Sequence, residues 1–260
     1  MNDLVLRHDH DGGIVVLGLN REDAANALST PLLEDLLTVI AELHHAPNVR
    51  VVILTGRGSK AFCAGADLKE RRGMDDGQVR RAVARIRRAV EAVAQLPMPV
   101  IAAVNGVAFG GGTELALAAD IRILADTAKM GLTETSLAII PGAGGTQRLP
   151  RVVGVAKAKE LIYTARRIDA ETALQLGLAN RVVPATEVLE TAMEMAREIA
   201  RNGPIAVRQA KFAIDAGMSV DLQSGLSIEK QAYEMVIPTE DRLEGLNAFA
   251  EKRKPQYRGK

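Results

Sequence analysis

The sequence predicts an α/β protein. Three observations carry that expectation. Short apolar runs, RVVILTG (50–56), PVIAAVNG (99–106) and DIRILAD (120–126), have the character of buried strands. Amphipathic helical segments separate them. A Gly-rich connection from strand to helix is used twice, in RVVILTGRGSKAFCAGADL and in PVIAAVNGVAFGGGTEL. At 260 residues the chain is near the upper limit for one core, or holds a core plus a small appendage. Aromatic residues make up 3% and Trp is absent, so the core must be aliphatic.

In chain order, LVLRHDHDGGIVVLGLN (4–20) reads as two strands around Asp11-Gly12-Gly13, a hairpin signal. STPLLEDLLTVIAEL (29–43) reads as a helix with Pro31 near its first turn and Leu32, Leu36, Val39, Ile40 and Leu43 on its apolar face. GQVRRAVARIRRAVEAVAQL (77–96) is a second helix, with Val79, Val83, Ile86, Val90 and Val93 at helical spacing. Beyond about residue 155 strand signals thin out. Segments 156–164, 170–176, 186–201, 204–216 and 222–236 read as helices, with turns at Gly177, Gly203-Pro204 and Gly217. The chain thus divides into an α/β layer over 1–195 and a helical region over 196–260. The polar, basic tail EKRKPQYRGK is a frayed end or a binding arm.

Thirty-three Lys+Arg against thirty-two Asp+Glu leave a formal charge of +1, which gives no reason to expect nucleic acid or an anionic membrane as partner. The single cysteine, Cys63, excludes an intramolecular disulfide and suits a reducing compartment. The N-terminus lacks the pattern of a signal peptide, and no run approaches roughly 18 uncharged apolar residues, so a cytoplasmic location is expected. His8, His10, His44 and His45 give no third ligand at sensible spacing and are expected on the surface, with no metal bound. Cys63 is expected to be a small buried side chain, since no motif pairs it with a histidine.

Glycines before a helix expose backbone N–H groups, and the first helical turn adds unpaired donors and the positive end of the dipole. Together they make an anion site. A phosphate is one occupant, but neither GRGSK nor FGGGTE has Walker A spacing, and GVAFGGG lacks the dinucleotide spacing. A developing oxyanion is the other. Because two loops each offer one N–H, Ala66 in CAGAD and Gly111 in FGGGT are the natural donors. Glu114 follows Gly111 by one turn, and Glu134 lies between Thr133 and Thr135. Two carboxylates in partly buried settings can hold different protonation states, one as acid and one as base. Structural readings stand beside these: a helix N-terminal acid for Glu114 and an ordinary loop acid for Glu134.

FCAGADLKE (62–70), NGVAFGGGTELALAADIRI (105–123) and MGLTETSLAIIPGAGGTQRLPRVVG (130–154) closely resemble the enoyl-CoA hydratase/isomerase, or crotonase, superfamily. The similarity runs from about residue 12 to the C-terminus. TEDRLEGLNAFAEKRKPQYRGK looks like the branch containing methylglutaconyl-CoA hydratase. The resemblance implies a spiral of β-β-α units with a C-terminal helical region that builds a trimer, often paired into a hexamer. It implies that the N–H groups of Ala66 and Gly111 hold the thioester oxygen, that Glu114 activates water for attack at C3, and that Glu134 delivers the proton to C2. Ala66, Asp67, Leu68 and Lys69, with Ala64 and Gly110 beside them, are implied along the bound acyl-CoA. The lysine matching Lys252 is implied to hold the CoA end, within the subunit or across a subunit boundary. The GAGG loop is implied to leave room for the acyl chain beside Glu134.

Both glutamates together favour a hydratase, with an isomerase as the alternative. No metal or redox cofactor is expected, coenzyme A being part of the substrate. Arg80, Arg81, Arg85, Arg87 and Arg88 make one helix basic, with a solvated face as its plain reading and CoA phosphates or RNA as functional ones. The branch includes an RNA binder that uses a lysine-rich first helix. The matching stretch here, STPLLEDLLTVIAELHH, has no lysine, which argues against nucleic acid.

Overall fold

The computed structural model describes residues 3–260; Met1 and Asn2, the first two residues of the expected α/β layer, lie outside them. The chain opens with the expected hairpin, β1 (Val5–His10) and β2 (Ile14–Leu19), paired antiparallel from Val5 opposite Leu19 to His10 opposite Ile14. Ser29 accepts the N–H of Leu32 and caps α1 (Thr30–His44). Leu32, Leu33, Leu36, Ile40 and Leu43 form its buried face, with Val39 at the edge. There follow β3 (Val51–Gly56), β4 (Ala61–Cys63), α2 (Leu68–Arg71), α3 (Asp76–Ala94), β5 (Val100–Val104), β6 (Val107–Phe109), α4 (Gly111–Ala118), β7 (Ile121–Ala125) and β8 (Lys129–Gly131). The remainder comprises α5 (Gly145–Val153), α6 (Val155–Tyr163), β9 (Ile168–Asp169), α7 (Ala170–Gln175), β10 (Arg181–Val183), α8 (Val188–Ala200), α9 (Pro204–Gly217), α10 (Leu222–Val236) and α11 (Glu240–Ala250).

The strands form two sheets. One has the order β1-β2-β3-β5-β7-β10 and is parallel from β2 onward; the other has the order β4-β6-β8-β9. Successive units send their first strand to the large sheet and their second to the small one: β3 then β4, β5 then β6, β7 then β8. This is the expected spiral of β-β-α units. The central strands are buried along almost their whole length, as parallel strands covered on both faces require.

The sequence reading missed β4, β6, β8, β9 and β10. Each is two or three residues long, too short for a period-two pattern to register. Two of them, β9 and β10, fall beyond residue 155, between the segments read as helices. Helix α8 places Val188, Ala192, Met193, Ala196 and Ala200 against β3, β5 and β7. The division expected between residues 195 and 196 therefore runs through one helix that packs on the sheet, and the helical extension starts after it, at α9.

Polar ties hold that extension to the core. Lys211 reaches Asp120 at 2.8 Å, and Arg208 donates to Val49 O at 2.9 Å. Arg50 donates to the carbonyls of Ala200 and Tyr257, both at 2.6 Å. The basic tail folds back onto α11: the N–H groups of Arg258 and Gly259 donate to the Asp241 carboxylate at 2.7 and 2.8 Å. It is neither frayed nor a free arm.

Candidate active site

Each Gly-rich turn reaches the site from the end of a short strand of the small sheet. After β4 the chain passes through Ala64-Gly65-Ala66 into α2. Gly65 has φ of +97°, and a Cβ there would lie 2.6 Å from Phe109 O, so only glycine fits. Leu28 brackets this turn, its N–H donating to Gly65 O at 2.8 Å while its carbonyl accepts from Asp67 N–H at 3.2 Å. After β6 the chain turns at Gly110 into α4, which is buried throughout. Thr113 fixes that junction, its hydroxyl donating to Ala108 O at 2.6 Å and accepting from Gly131 N–H at 3.1 Å. Gly112 permits the closest approach: a Cβ there would lie 2.0 Å from Cys63 O.

The two turns therefore touch. A Cβ on Gly111 would stand 3.8 Å from Ala66 N. Among the described residues neither the Ala66 nor the Gly111 N–H meets a hydrogen-bond acceptor. Gly111 opens α4, so its N–H is one of the orphan donors at the positive end of the helix. Both residues line one cavity of about 620 Å³. Two free backbone donors on one wall form a receptor for an oxygen that is gaining negative charge.

Both glutamates line the same cavity. Glu114, only 3% exposed, points its Oε1 at the start of α5, where the N–H groups of Ala143 and Gly145 donate to it at 2.7 and 2.8 Å. Burial pushes its carboxyl up from the usual range, and these two amides, with the charge of Arg148, pull it back. The GAGG loop was expected to clear space beside Glu134. Gly142 and Ala143 of the loop line the cavity with it, and the amides of Ala143 and Gly145 also hold Glu114.

Glu134 lies against the other turn: a Cβ on Gly110 would be 3.2 Å from its Oε1. Its Oε2 is buried with no hydrogen-bond partner among the described residues. Burial, with the charge of Glu114 added, pushes this carboxyl up to about 7. The two acids thus occupy contrasting settings, one amide-bound and one bare.

Of the residues singled out in the sequence, Ala64, Ala66, Leu68, Gly110, Gly111, Glu114 and Glu134 line the cavity. Asp67, Lys69 and Lys252 do not. The Asp67 carboxylate faces inward to the fold, capping α2 through Lys69 and Glu70 N–H and pairing with Arg21 at 3.0 Å. Lys69 is exposed. Lys252 follows α11 with φ of +54°, exposed and away from the cavity walls.

Several wall residues escaped the sequence reading: Arg71, Leu137, Ala138, Ile139 and Ile140. The valine stripe of α3 proves to serve two purposes. Val79, Val83 and Ile86 face the cavity, while Ile86, Val90 and Val93 are buried in the core. Of the helix's arginines, Arg80 pairs with Asp76, Arg85 with Glu34 and Arg87 with Glu91. Cys63 is buried, its thiol pushed up to about 12, so it stays protonated and inert. Among the described residues no group of three or more His, Cys, Asp and Glu side chains is placed to hold a metal ion, and no helix is long and apolar enough to cross a membrane.

Strands alternating between two sheets, with two N–H donors and two acids at a shared cavity, define an oxyanion-stabilising enzyme of the crotonase type. The enoyl-CoA hydratase/isomerase family model matches residues 9–260, and the chain belongs to that family. YngF of Bacillus subtilis, named for the same hydratase/isomerase activities, is 54% identical over 259 residues spanning all of both chains. Human mitochondrial methylglutaconyl-CoA hydratase is 49% identical over 264 residues, covering 99% of this chain and 78% of that one. The crystal structure of an enoyl-CoA hydratase from Bacillus anthracis superposes with a TM-score of 0.97 at 60% identity, covering 99% of this chain and all of that one. The protein is an enzyme of the hydratase type, from a family that acts on acyl-CoA thioesters.

Proposed function

We propose that the protein adds water reversibly across the 2,3 double bond of a 2-enoyl-CoA thioester. One observation supports this above the others: an amide-bound carboxylate and a carboxyl held near 7 share a cavity with two unpaired backbone N–H groups. The thioester oxygen accepts from Ala66 and Gly111 N–H, which drains electron density from C3. Water attacks C3 and gives its proton to Glu114. The C2–C3 π electrons move toward the oxygen as an enolate, which collapses by taking a proton from Glu134 onto C2. The product gains one OH and one H, and the reverse path is dehydration. Each backbone donor contributes about 3 kcal/mol to lowering the barrier. Because the stabilised oxygen itself acidifies C2, the reaction needs no metal or redox group.

In the same reading the enzyme works in the cytoplasm as a trimer or hexamer, with Lys252 holding the CoA end from a neighbouring copy. Crotonyl-CoA in ¹⁸O-labelled water tests the reaction. The expected product is 3-hydroxybutyryl-CoA with label on C3, and Glu114→Gln lowers kcat by at least about 10²-fold. Isomerisation of a 3-enoyl-CoA without any hydration would overturn the reading, as would undiminished turnover in the variant.

A further inference from the structure

Arg71 is the one cation on the walls of the cavity among the described residues. It closes α2, is partly buried, and has Val79, Val83, Ile86 and Leu137 for company on those walls. The acids adjacent to it in sequence are engaged elsewhere. Asp67 pairs with Arg21, and Glu70 Oε2 accepts from Thr30 N–H at 2.9 Å. Other arginines near the cavity have internal partners: Arg148 donates to Ala143 O at 3.1 Å, and Arg85 to Thr30 Oγ1 at 3.1 Å. The Arg71 guanidinium makes no ion pair with a described residue, so its charge is partly desolvated and uncompensated.

Such a group is stabilised by an anion that arrives with the ligand. The planar fork of guanidinium matches a carboxylate bidentately. We infer that Arg71 selects enoyl thioesters whose acyl chain ends in a carboxylate, an inference that rests on the hydratase reading above. A CoA phosphate offers related chemistry. The aliphatic neighbours Val79, Val83, Ile86 and Leu137 on the same walls favour the end of an acyl chain over a nucleotide phosphate.

The experiment compares glutaconyl and crotonyl thioesters, with and without the terminal carboxylate, each on CoA and on phosphate-free pantetheine. Wild type, Arg71→Gln and Arg71→Lys are assayed for kcat/KM on all four. The ratio of glutaconyl to crotonyl turnover is expected to fall about a hundredfold in Arg71→Gln on both carriers, with Arg71→Lys in between, as for loss of a charge-assisted hydrogen-bonded pair. An unchanged ratio overturns the inference. So does an equal loss on both CoA thioesters that disappears on pantetheine, which assigns Arg71 to a phosphate. Failure of the hydratase reading has a separate signature, a wild-type enzyme that hydrates none of the four. In that event calorimetric binding of glutaconyl-pantetheine to wild type and Arg71→Gln still decides whether Arg71 holds the carboxylate.

Discussion

Glu114 and Glu134 are the same residue type twenty positions apart; burial raises both, but only Glu114 has the amides of Ala143 and Gly145 to pull it back. Two amides grip the first, while the second keeps one oxygen buried and bare. Because the Glu134 carboxyl titrates near 7, kcat/KM for hydration is expected to fall about tenfold per pH unit above that point as the proton donor is lost. Its folded-state value lies above its ordinary 4.5, so the native protein binds the extra proton between these limits. The resulting stability is fully present below about 4.5 and is lost as pH rises through about 7. Denaturation midpoints measured across that window should decline with pH in wild type and decline less in Glu134→Gln; identical slopes would contradict the assignment. The two glutamates, Ala66 and Gly111 were legible in the sequence because glycine-flanked turns and a family motif mark them. Arg71 was not, since nothing local distinguishes it from the chain's other arginines. Nor were the amides that hold Glu114, because they come from about thirty residues away.

The repeated strand–turn–helix device was legible at the scale of elements, but its inner strand was not. AFC and VAF are three-residue strands whose register is set by their partners in the small sheet rather than by any pattern of their own. What locks the two repeats together is the absence of a side chain on Gly112, which brings α4 against β4. Gly112→Ala should destabilise the fold by roughly 1–3 kcal/mol and depress hydration as well, because the Gly111 N–H moves with its neighbour. Gly18→Ala is the matched control, since a Cβ there meets only Leu6 Cβ at 3.9 Å. Chemical denaturation at fixed protein concentration separates the two, and equal midpoints would show that the contact is soft.

At the scale of the whole molecule the extension α9–α11 stands apart. Its helices bury few residues within the chain: Pro204 in α9, Ala232 in α10, and Asp241 and Ala248 in α11. Phe249 is 87% exposed, and Met218 and Leu222 are 78% exposed. A group of helices this apolar on its open side suits association with further copies of the chain. Sedimentation velocity should give a mass that is three or six times the 27.8 kDa chain, and Leu222→Asp combined with Phe249→Asp should shift it toward the monomer. A monomeric wild type would remove the trimer from the account. The sequence indicated this helical region, yet its attachment through Lys211, Arg208 and Arg50, and the docked tail, depend on pairings between distant segments that carry no local signal.

In the proposed reaction two backbone N–H groups polarise one carbonyl. Difference infrared spectroscopy of crotonyl-CoA bound to the Glu114→Gln, Glu134→Gln double variant, which holds substrate without consuming it, measures that polarisation at the bond concerned. The thioester carbonyl stretch is expected to move to lower frequency than in water. A stretch at or above the aqueous position would contradict the account, whatever the turnover assays had shown.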